Sequence, residues 1–463
     1  MPGGHVRWIL GGSVDDVFVS FTTNPSKQAS KRYICLALFL WLPARMSATI
    51  ETRCCIAGGG PAGMMTGYLL ARMGVDVVVL EKHKDFLRDF RGDTIHPSTL
   101  ELMHELGVLD EFLKRPHQKV TQISAQIGDH TFILGEFSHL PTQCKFIALM
   151  PQWDFLNFIA AQAQQYSGFH LMMQAEVVDL VAENNQVVGV MSKTQSGMQK
   201  IRAHLTIGAD GRHSAVRERA GLQVQNLGAP MDVLWMRVSR HKDDPSTPFG
   251  RVEPGRMLVL IDRDEYWQCA FLIPKGTLDT LKRRGFENFL QELVNLAPFL
   301  RDRVHELRSW DDTSVLTVAV DRLREWSKPG LLCIGDAAHA MSPVGGVGIN
   351  LAIQDAVAAA NILGRKLLAG RVTLTDLIAV QRRRQFPTRA TQRLQVFIQN
   401  RVIRRVLGAE KPIEVPWIVK LLQHWPYLQR IPARIVGMGF RPEHIRTPAN
   451  AGLSARSGIA ASL

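Results

Sequence analysis

The stretch Cys54–Glu81, CCIAGGGPAGMMTGYLLARMGVDVVVLE, narrows the possible folds more than any other part of the chain. Cys54 to Ala57 form a short apolar run that reads as a buried strand. Gly58, Gly60 and Gly63 follow at G-x-G-x-x-G spacing, and Leu69, Leu70 and Met73 then fall at helical intervals. Gly74 reads as the helix stop, and Val75 to Leu80 as a second strand ending at Glu81. Each glycine has a physical task. Gly58 permits the tight turn, Gly60 lets backbone N–H groups approach a pyrophosphate, and Gly63 lets helix and strand pack closely. The helix N-terminus carries partial positive charge for the phosphates, and Glu81 can accept from a ribose diol. An ordinary glycine-rich turn is the plain alternative. Strand, helix, second strand and terminal carboxylate in that order favour a dinucleotide site.

At 463 residues the chain can bury a large core and should divide into two or three domains. Its net charge is +13, and from Arg371 onward 16 Lys/Arg face 4 Asp/Glu, a surplus of 16 − 4 = 12. The body is therefore near neutral, no nucleic-acid partner is expected, and the basic character belongs to a tail or face. The six cysteines, Cys35, Cys54, Cys55, Cys144, Cys269 and Cys333, form no C-x-x-C pair. Buried thiols in a reducing, cytoplasmic compartment account for them, and no metal is expected. Tyr33–Pro43 is apolar but too short to span a bilayer. Met46, just ahead of the first strand, is the expected translation start, which makes the preceding segment a non-core extension.

Farther along, Ser98 and Glu101 read as a capping box for a helix Thr99 to Leu106, ended by Gly107. Lys119 to Leu149 alternates like antiparallel sheet, and Gln152 to Tyr166 is an amphipathic helix. Leu171 to Val181 and Gln186 to Ser192 read as a hairpin about Glu183-Asn184-Asn185. Strand patterns recur around Leu234–Val238, Arg256–Ile261, Tyr266–Ile273 and Ser314–Val320, with a helix Phe286–Leu296. A long helix is expected from Asn350 to about Leu368.

Two further motifs end strand-like runs. GADGRHSAVR, residues 208–217, reads as strand end, turn and helix start, with Asp210-Gly211 the turn and Ser214 or Asp210 the cap. In GDAAHAMSPVGGVGIN, residues 335–350, an apolar strand delivers Asp336, glycines 345, 346 and 348 allow close approach to a flat ring, and Ile349-Asn350 opens a helix. Asp336 alone is equally well read as a helix cap.

Together the three stretches resemble the group A FAD-dependent monooxygenases, the p-hydroxybenzoate hydroxylase family, over about residues 50–370. The resemblance implies an α/β fold: a Rossmann-like FAD-binding domain, an inserted antiparallel-sheet substrate domain and a helical C-terminal region. The expected division is 1–48 extension; 49–117, 149–222 and 318–370 FAD-binding; 118–148 and 223–317 substrate sheet; 371–463 basic helical region. It implies FAD contacts at Gly58, Gly60, Pro61, Ala62 and Gly63, with Glu81 on the adenosine ribose and Asp336 on the ribityl chain. Asp210 and Gly211 would serve both FAD and NADH or NADPH. Pro343, Gly346, Gly348, Ile349 and Asn350 would meet the flavin ring. Arg91, Gln152 and Val177 occupy places of an arginine near the FAD phosphates, a glutamine that hydrogen-bonds FAD and a residue whose backbone meets the adenine.

The implied chemistry is reduction of FAD by NADH or NADPH, reaction with O2 to a flavin hydroperoxide, and hydroxylation of an aromatic or lipophilic small molecule. Water must be kept out, so an apolar pocket wall is expected from the inserted sheet. Trp235, Met236, Arg237, Tyr266, Trp267 and Phe271 are its candidates, with Trp235 and Arg237 on one face and Met236 on the other. Each reads more readily as plain core than as a substrate contact. His96 and Tyr266 are candidates to relay a phenolic proton. Three rivals remain. One is a halogenase on the same scaffold, disfavoured because Cys269–Pro274 (CAFLIP) lacks both tryptophans of that group's W-x-W-x-I-P pattern. The others are an oxygen-independent flavin reductase or dehydrogenase and a non-catalytic flavin-binding protein. The tail mixes Trp417, Trp425 and Tyr427 with Lys420, Arg430 and Arg434. It reads as helices packed on the body with a solvated basic face, or as a peripheral membrane contact.

Overall fold

The strand that leads to the first glycine loop is longer than its apolar signature: it runs Ile50–Ala57, with only Cys54, Cys55, Ile56 and Ala57 fully buried. The computed structural model describes residues 48–87, 94–244 and 250–449, so the N-terminal extension, almost all of it, and Arg91 lie outside the described residues. An eight-stranded sheet forms around this strand. Leu331–Cys333, Gly197–Gly208, Ile50–Ala57, Val77–Glu81 and Phe169–Met173 lie side by side and parallel. Val77–Glu81 is buried along its whole length, as expected of a parallel strand covered on both faces. The helix Pro61–Arg72 packs against Gln152–Ala163 and the long helix Gly348–Leu368.

Glu176–Glu183 and Gln186–Thr194 add an antiparallel meander to Gly197–Gly208. Asn184 and Asn185 both take positive φ (50° and 61°) at its turn, the left-handed pair that a two-residue hairpin needs. Phe169–Met173 is not part of that hairpin. It leaves it to become the edge of the parallel sheet, because its partner is Val77–Glu81.

The second sheet has seven strands in the order Ser314–Leu316, Met231–Ser239, Tyr266–Pro274, Arg256–Asp262, Gly250–Glu253, Gln122–Ile127, His130–Glu136. One face is sealed by the helix Phe286–Leu296, where Phe289, Leu290 and Leu293 meet Leu234, Met236 and Phe271. The other face meets C-terminal elements: Ile261 clusters with Ala433 and Met438, and Ala270 and Leu272 with Ile403. The alternating stretch from Lys119 to Leu149 is shared between sheets. Gln118–Val120 and Ile147–Leu149 join Thr94–Ile95 in a separate three-stranded sheet.

The expected capping box at Ser98 does not form. The helix is Pro97–Glu105, capped at His96 without a side-chain bond, because Pro97 starts it two residues early at the position proline favours. Glu101 instead accepts from the Gln143 N–H at 2.9 Å. Beyond the body, Leu374–Ile398 continues through a π-helical turn, Gln399–Ile403, and two shorter helices, Trp417–His424 and Arg430–Met438, follow.

Candidate functional site

Sheet register brings the three motifs together. Ala57 pairs with Gly208, Gly208 with Cys333, and Ala57 also with Leu80, so four parallel strands end at one level. Past that level the Gly58 loop, Glu81, Asp210 and Asp336 emerge along one edge. Bonds from Gly58 N–H to Leu80 O (2.8 Å), Ala209 N–H to Ala57 O (2.7 Å) and Ile334 N–H to Gly208 O (2.9 Å) hold the strand ends in line. The crevice outside the carboxyl ends of parallel strands is where this architecture takes its ligands.

The glycines divide by what a Cβ would meet. At Gly58 (φ +105°) it would lie 2.4 Å from Ala209 O, and at Gly63 only 1.9 Å from Gly58 O. Those two allow segments of the protein to touch. Gly60 differs: a Cβ there meets nothing within 4 Å. It is also the N-cap of Pro61–Arg72, with no side chain capping that terminus and Pro61 at the first helical position. Ala62 is buried beneath it. The result is an open, uncapped helix start, the form of an anion cradle. Gly59, a motif position open to any residue, is constrained as well. A Cβ on it would sit 2.9 Å from Glu81 Cβ. Glu81 is buried: Oε2 accepts from Gly59 N–H (3.0 Å), and Oε1 accepts from His83 N–H (3.1 Å) and lies 2.5 Å from His83 Nδ1. His83 carried no signal in the sequence.

In the middle motif Ser214 caps its helix by accepting from Arg217 N–H at 3.0 Å. Asp210 Oδ2 accepts from Val216 N–H at 3.1 Å, while Oδ1 is buried without a hydrogen-bond partner. Burial raises the Asp210 pKa, against the lowering effect of its hydrogen bonds to Ser214 and nearby backbone. Gly211 (φ +84°) turns into open space. Arg212 then crosses to the third motif, its Nε 3.1 Å from Asp336 Oδ2. The sequence reading gave Arg212 no role.

The third motif is pinned from behind. Asp355 Oδ2 accepts from Gly335 N–H (3.1 Å) and lies 2.5 Å from His339 Nε2, and Oδ1 accepts from Arg384 Nε (2.8 Å). Burial would raise the Asp355 pKa, but His339 and Arg384 outweigh it and hold the carboxylate below its usual range. Ahead of the helix, Gly346 (φ +62°) admits Thr94, whose Oγ1 a Cβ would meet at 2.3 Å. Asn350 is fully engaged: Oδ1 accepts from His96 N–H (2.9 Å) and Thr99 Oγ1 (2.8 Å), and Nδ2 donates to Thr94 O (2.9 Å). Its backbone and that of Gly348 and Ile349 form the start of Gly348–Leu368, which has no side-chain cap. Pro343 stands half-buried just before this turn. Beside it lies an apolar cavity bounded by Val344, Gly345, His96, Gln354, Leu394 and Met438.

A family profile described as an FAD binding domain matches residues 51–394, well over half of the chain. The chain belongs to the group A FAD-dependent aromatic monooxygenases. Among relatives of this flavoprotein, 6-methylpretetramide 4-monooxygenase of Streptomyces rimosus is 31% identical over 386 residues, covering 82% of this chain and 92% of the relative. Para-nitrophenol 4-monooxygenase of a Pseudomonas species is 24% identical, covering 72% and 82%. In fold it is similar to the anhydrotetracycline hydroxylase OxyS from Streptomyces rimosus (TM-score 0.66, 21% identity, 85% and 77% covered). It is also similar to the flavin-dependent brominase Bmp2 (TM-score 0.68, 16% identity, 84% and 93% covered). The open space at Gly60, the uncapped helix start and the orphaned Asp210 Oδ1 fit the cofactor that the family binds.

The remaining candidates of the flavoprotein are placed as follows. Gln152 is half-buried as the first residue of Gln152–Ala163. Val177 is buried opposite Ser192, in a segment tied to the Glu81 strand by Ala175 N–H to Glu81 O at 2.9 Å. Trp235, Arg237 and Tyr266 share the sheet face turned away from Phe286–Leu296. Trp235 and Val344 pack against one cluster of Val233, Ala270, Leu272 and Ile403. Arg237 is exposed, with its guanidinium 5.9 Å from the Tyr266 ring centre. Met236, Trp267 and Phe271 point the other way, into the core beneath Phe286–Leu296, and form no pocket wall. Strand alternation separated the two faces, but a helix far along the chain decided which was sealed. The C-terminal region supplies cavity walls that the sequence reading assigned only to the inserted sheet.

Proposed function

We propose that this flavoprotein uses NADH or NADPH and O2 to hydroxylate an aromatic or lipophilic small molecule. The convergence of three motifs at adjacent strand ends, with an apolar cavity beside Val344 and Gly345, carries the reading. Bound FAD would supply the electron and oxygen chemistry. The chain would bind and orient it: Gly58, Gly60, Pro61, Ala62 and Gly63 at the pyrophosphate, Glu81 at the ribose, Asp336 at the ribityl chain. Asp210 and Gly211 would border both cofactors, and Pro343, Gly346, Gly348, Ile349 and Asn350 the flavin ring. Arg91, Gln152 and Val177 keep their places in this proposal, as do the domain limits given by the sequence. Trp235 packs on the same cluster as Val344 of the flavin loop, and Arg237 and Tyr266 lie on the same sheet face. Excluding water is the protein's main contribution, and the cavity's apolar walls suit it.

The test is NADH and NADPH oxidation against a panel of phenols, quinolones and polyketide aromatics under ¹⁸O2. One ¹⁸O atom in the product supports the proposal. Flavin reduction with no labelled product supports the oxygen-independent reductase, and bromide or chloride incorporation the halogenase. Failure of both nicotinamides to bleach the flavin would leave a non-catalytic flavin-binding protein. A peripheral membrane contact draws support from the exposed Trp417 (74%) and Tyr427 (71%), the latter under the Arg430 guanidinium at 4.5 Å. Co-sedimentation with anionic liposomes at low salt tests it, and no pelleting ends it.

A further inference from the structure

The loop ahead of Gly348–Leu368 owes its position to a helix outside the three motifs. Ala340 to Pro343 belong to no helix or strand, so their buried backbone groups need partners from elsewhere. Three glutamines of Leu374–Ile398 and the π-helical turn after it supply them. Gln392, Gln395 and Gln399 recur at i, i+3 and i+7 on one helix face, and all three are buried. Gln392 Nε2 donates to Ala340 O (3.2 Å) and Asp321 O (2.7 Å). Gln395 makes three bonds: Oε1 accepts from Ser342 N–H (3.2 Å), and Nε2 donates to Ser342 O (3.0 Å) and Val344 O (2.9 Å). Gln399 Nε2 donates to Ser342 Oγ, which itself accepts from Val344 N–H at 3.2 Å. Pro343 has no N–H, and its carbonyl accepts from Gly346 N–H at 3.0 Å. Every backbone polar group of residues 342–344 is thereby met, most of them by Gln395.

A side-chain amide carries an acceptor and two donors in one plane, as the edge of a neighbouring strand does, so Gln395 stands in for a sheet beside this loop. Its orientation is fixed, because a flipped amide would set N–H against N–H and oxygen against two carbonyls. The match to the FAD binding domain ends at residue 394, so Gln395 and Gln399 lie just past it. Resting on the reading that Pro343, Gly346 and Gly348 border the flavin ring, we infer that Gln395 is a positioning residue for that ring, supported by Gln399. It acts through the loop: with Ser342 and Val344 both clamped, Pro343 between them is held in one place. Gln381, earlier on the same helix, supplies the contrast. Its Oε1 accepts from Trp326 N–H (3.0 Å) and its Nε2 donates to Arg324 O (2.8 Å), so it clamps residues 324–326 instead. If these glutamines only held the fold together, the two positions would be equivalent for FAD.

The experiment reads the FAD-loaded protein in three ways: visible-region circular dichroism of the bound flavin, the Kd for FAD by ultrafiltration, and the urea midpoint. Gln395→Leu should weaken FAD binding about tenfold, the scale of one or two neutral hydrogen bonds, and change the flavin dichroism. Gln381→Leu also loses bonds to two backbone groups and should lower the urea midpoint, yet leave both flavin readouts unchanged. Gln399→Leu removes a single bond, and Gln399 Oε1 is already buried without a partner. It should therefore move the urea midpoint little while weakening FAD binding about threefold. That variant carries the comparison should Gln395→Leu not fold. Flavin readouts unchanged in the folded Gln395 and Gln399 variants, or altered equally by Gln381→Leu, would overturn the inference. Gly348→Ala tests the placement of the loop separately, since its Cβ would meet only Met341 Cβ, at 3.6 Å. A dichroism change there with none at Gln395 or Gln399 sinks the clamp alone. No change at any of the three sinks the loop's placement as well.

Discussion

Gln354 and Asp355 are neighbours on one helix and both are buried, yet their hydrogen bonding is opposite. Asp355 is met on both oxygens by Gly335, His339 and Arg384, so it joins the third motif, its own helix and the C-terminal helix Leu374–Ile398. Gln354, which borders the cavity, uses its oxygen on Glu443 N–H and leaves its amide nitrogen buried without a partner. A saturated buried polar group holds the fold together, whereas an unsaturated one costs stability.

The largest expected effect comes from removing the saturated partner. Asp355→Ala leaves Arg384 and His339 buried without their shared carboxylate and should cost about 3–5 kcal/mol in urea unfolding. A loss below about 1 kcal/mol would break the comparison, because the network would not be holding the third motif. Next is the pH dependence set by His96. Its folded pKa, about 4, lies below the unfolded value of about 6.5, so between those values the unfolded state binds more protons. Stability from this group is therefore complete above about pH 6.5 and is lost as pH falls toward 4, by at most about 3 kcal/mol. Urea midpoints from pH 7.5 to 4.5 should fall in the parent and flatten in His96→Phe. Parallel profiles would show that His96 is not buried neutral.

Smaller effects sharpen the contrast. Gln354→Leu removes an unmet donor but orphans Glu443 N–H, so its cost should be about 1–2 kcal/mol, well below that at Asp355. Equal costs at the two positions would remove the distinction. Smallest in stability is Gly60→Ala. Its φ of −74° suits alanine and its Cβ would meet nothing, so the melting temperature should move little while FAD binding weakens. Unchanged FAD affinity would mean that no ligand approaches Gly60.

What could be read beforehand follows from how local each signal is. The cradle at Gly58–Gly63, the turn at Asp210-Gly211 and the strand delivering Asp336 are short-range devices, since turn, cap and helix start all lie within a few residues. The helix Phe286–Leu296 was legible to the residue because its apolar positions recur regularly. Partnerships across the chain were not legible. Nothing near His339 signals Asp355 and Arg384, and nothing near Glu81 signals His83. The apolar residues of 394–441 look like any amphipathic helix until the fold lays them against Val344 and His96. Pro97 moved a helix start that the Ser98–Glu101 pattern had placed later.

The account depends on four aligned strand ends holding a single flavin. Its most direct test is the flavin content of purified protein, with the cofactor released by heat and identified by chromatography. The account predicts a yellow protein carrying one FAD per chain, or one that reaches that stoichiometry when FAD is supplied. A folded, colourless protein that takes up no FAD would contradict it.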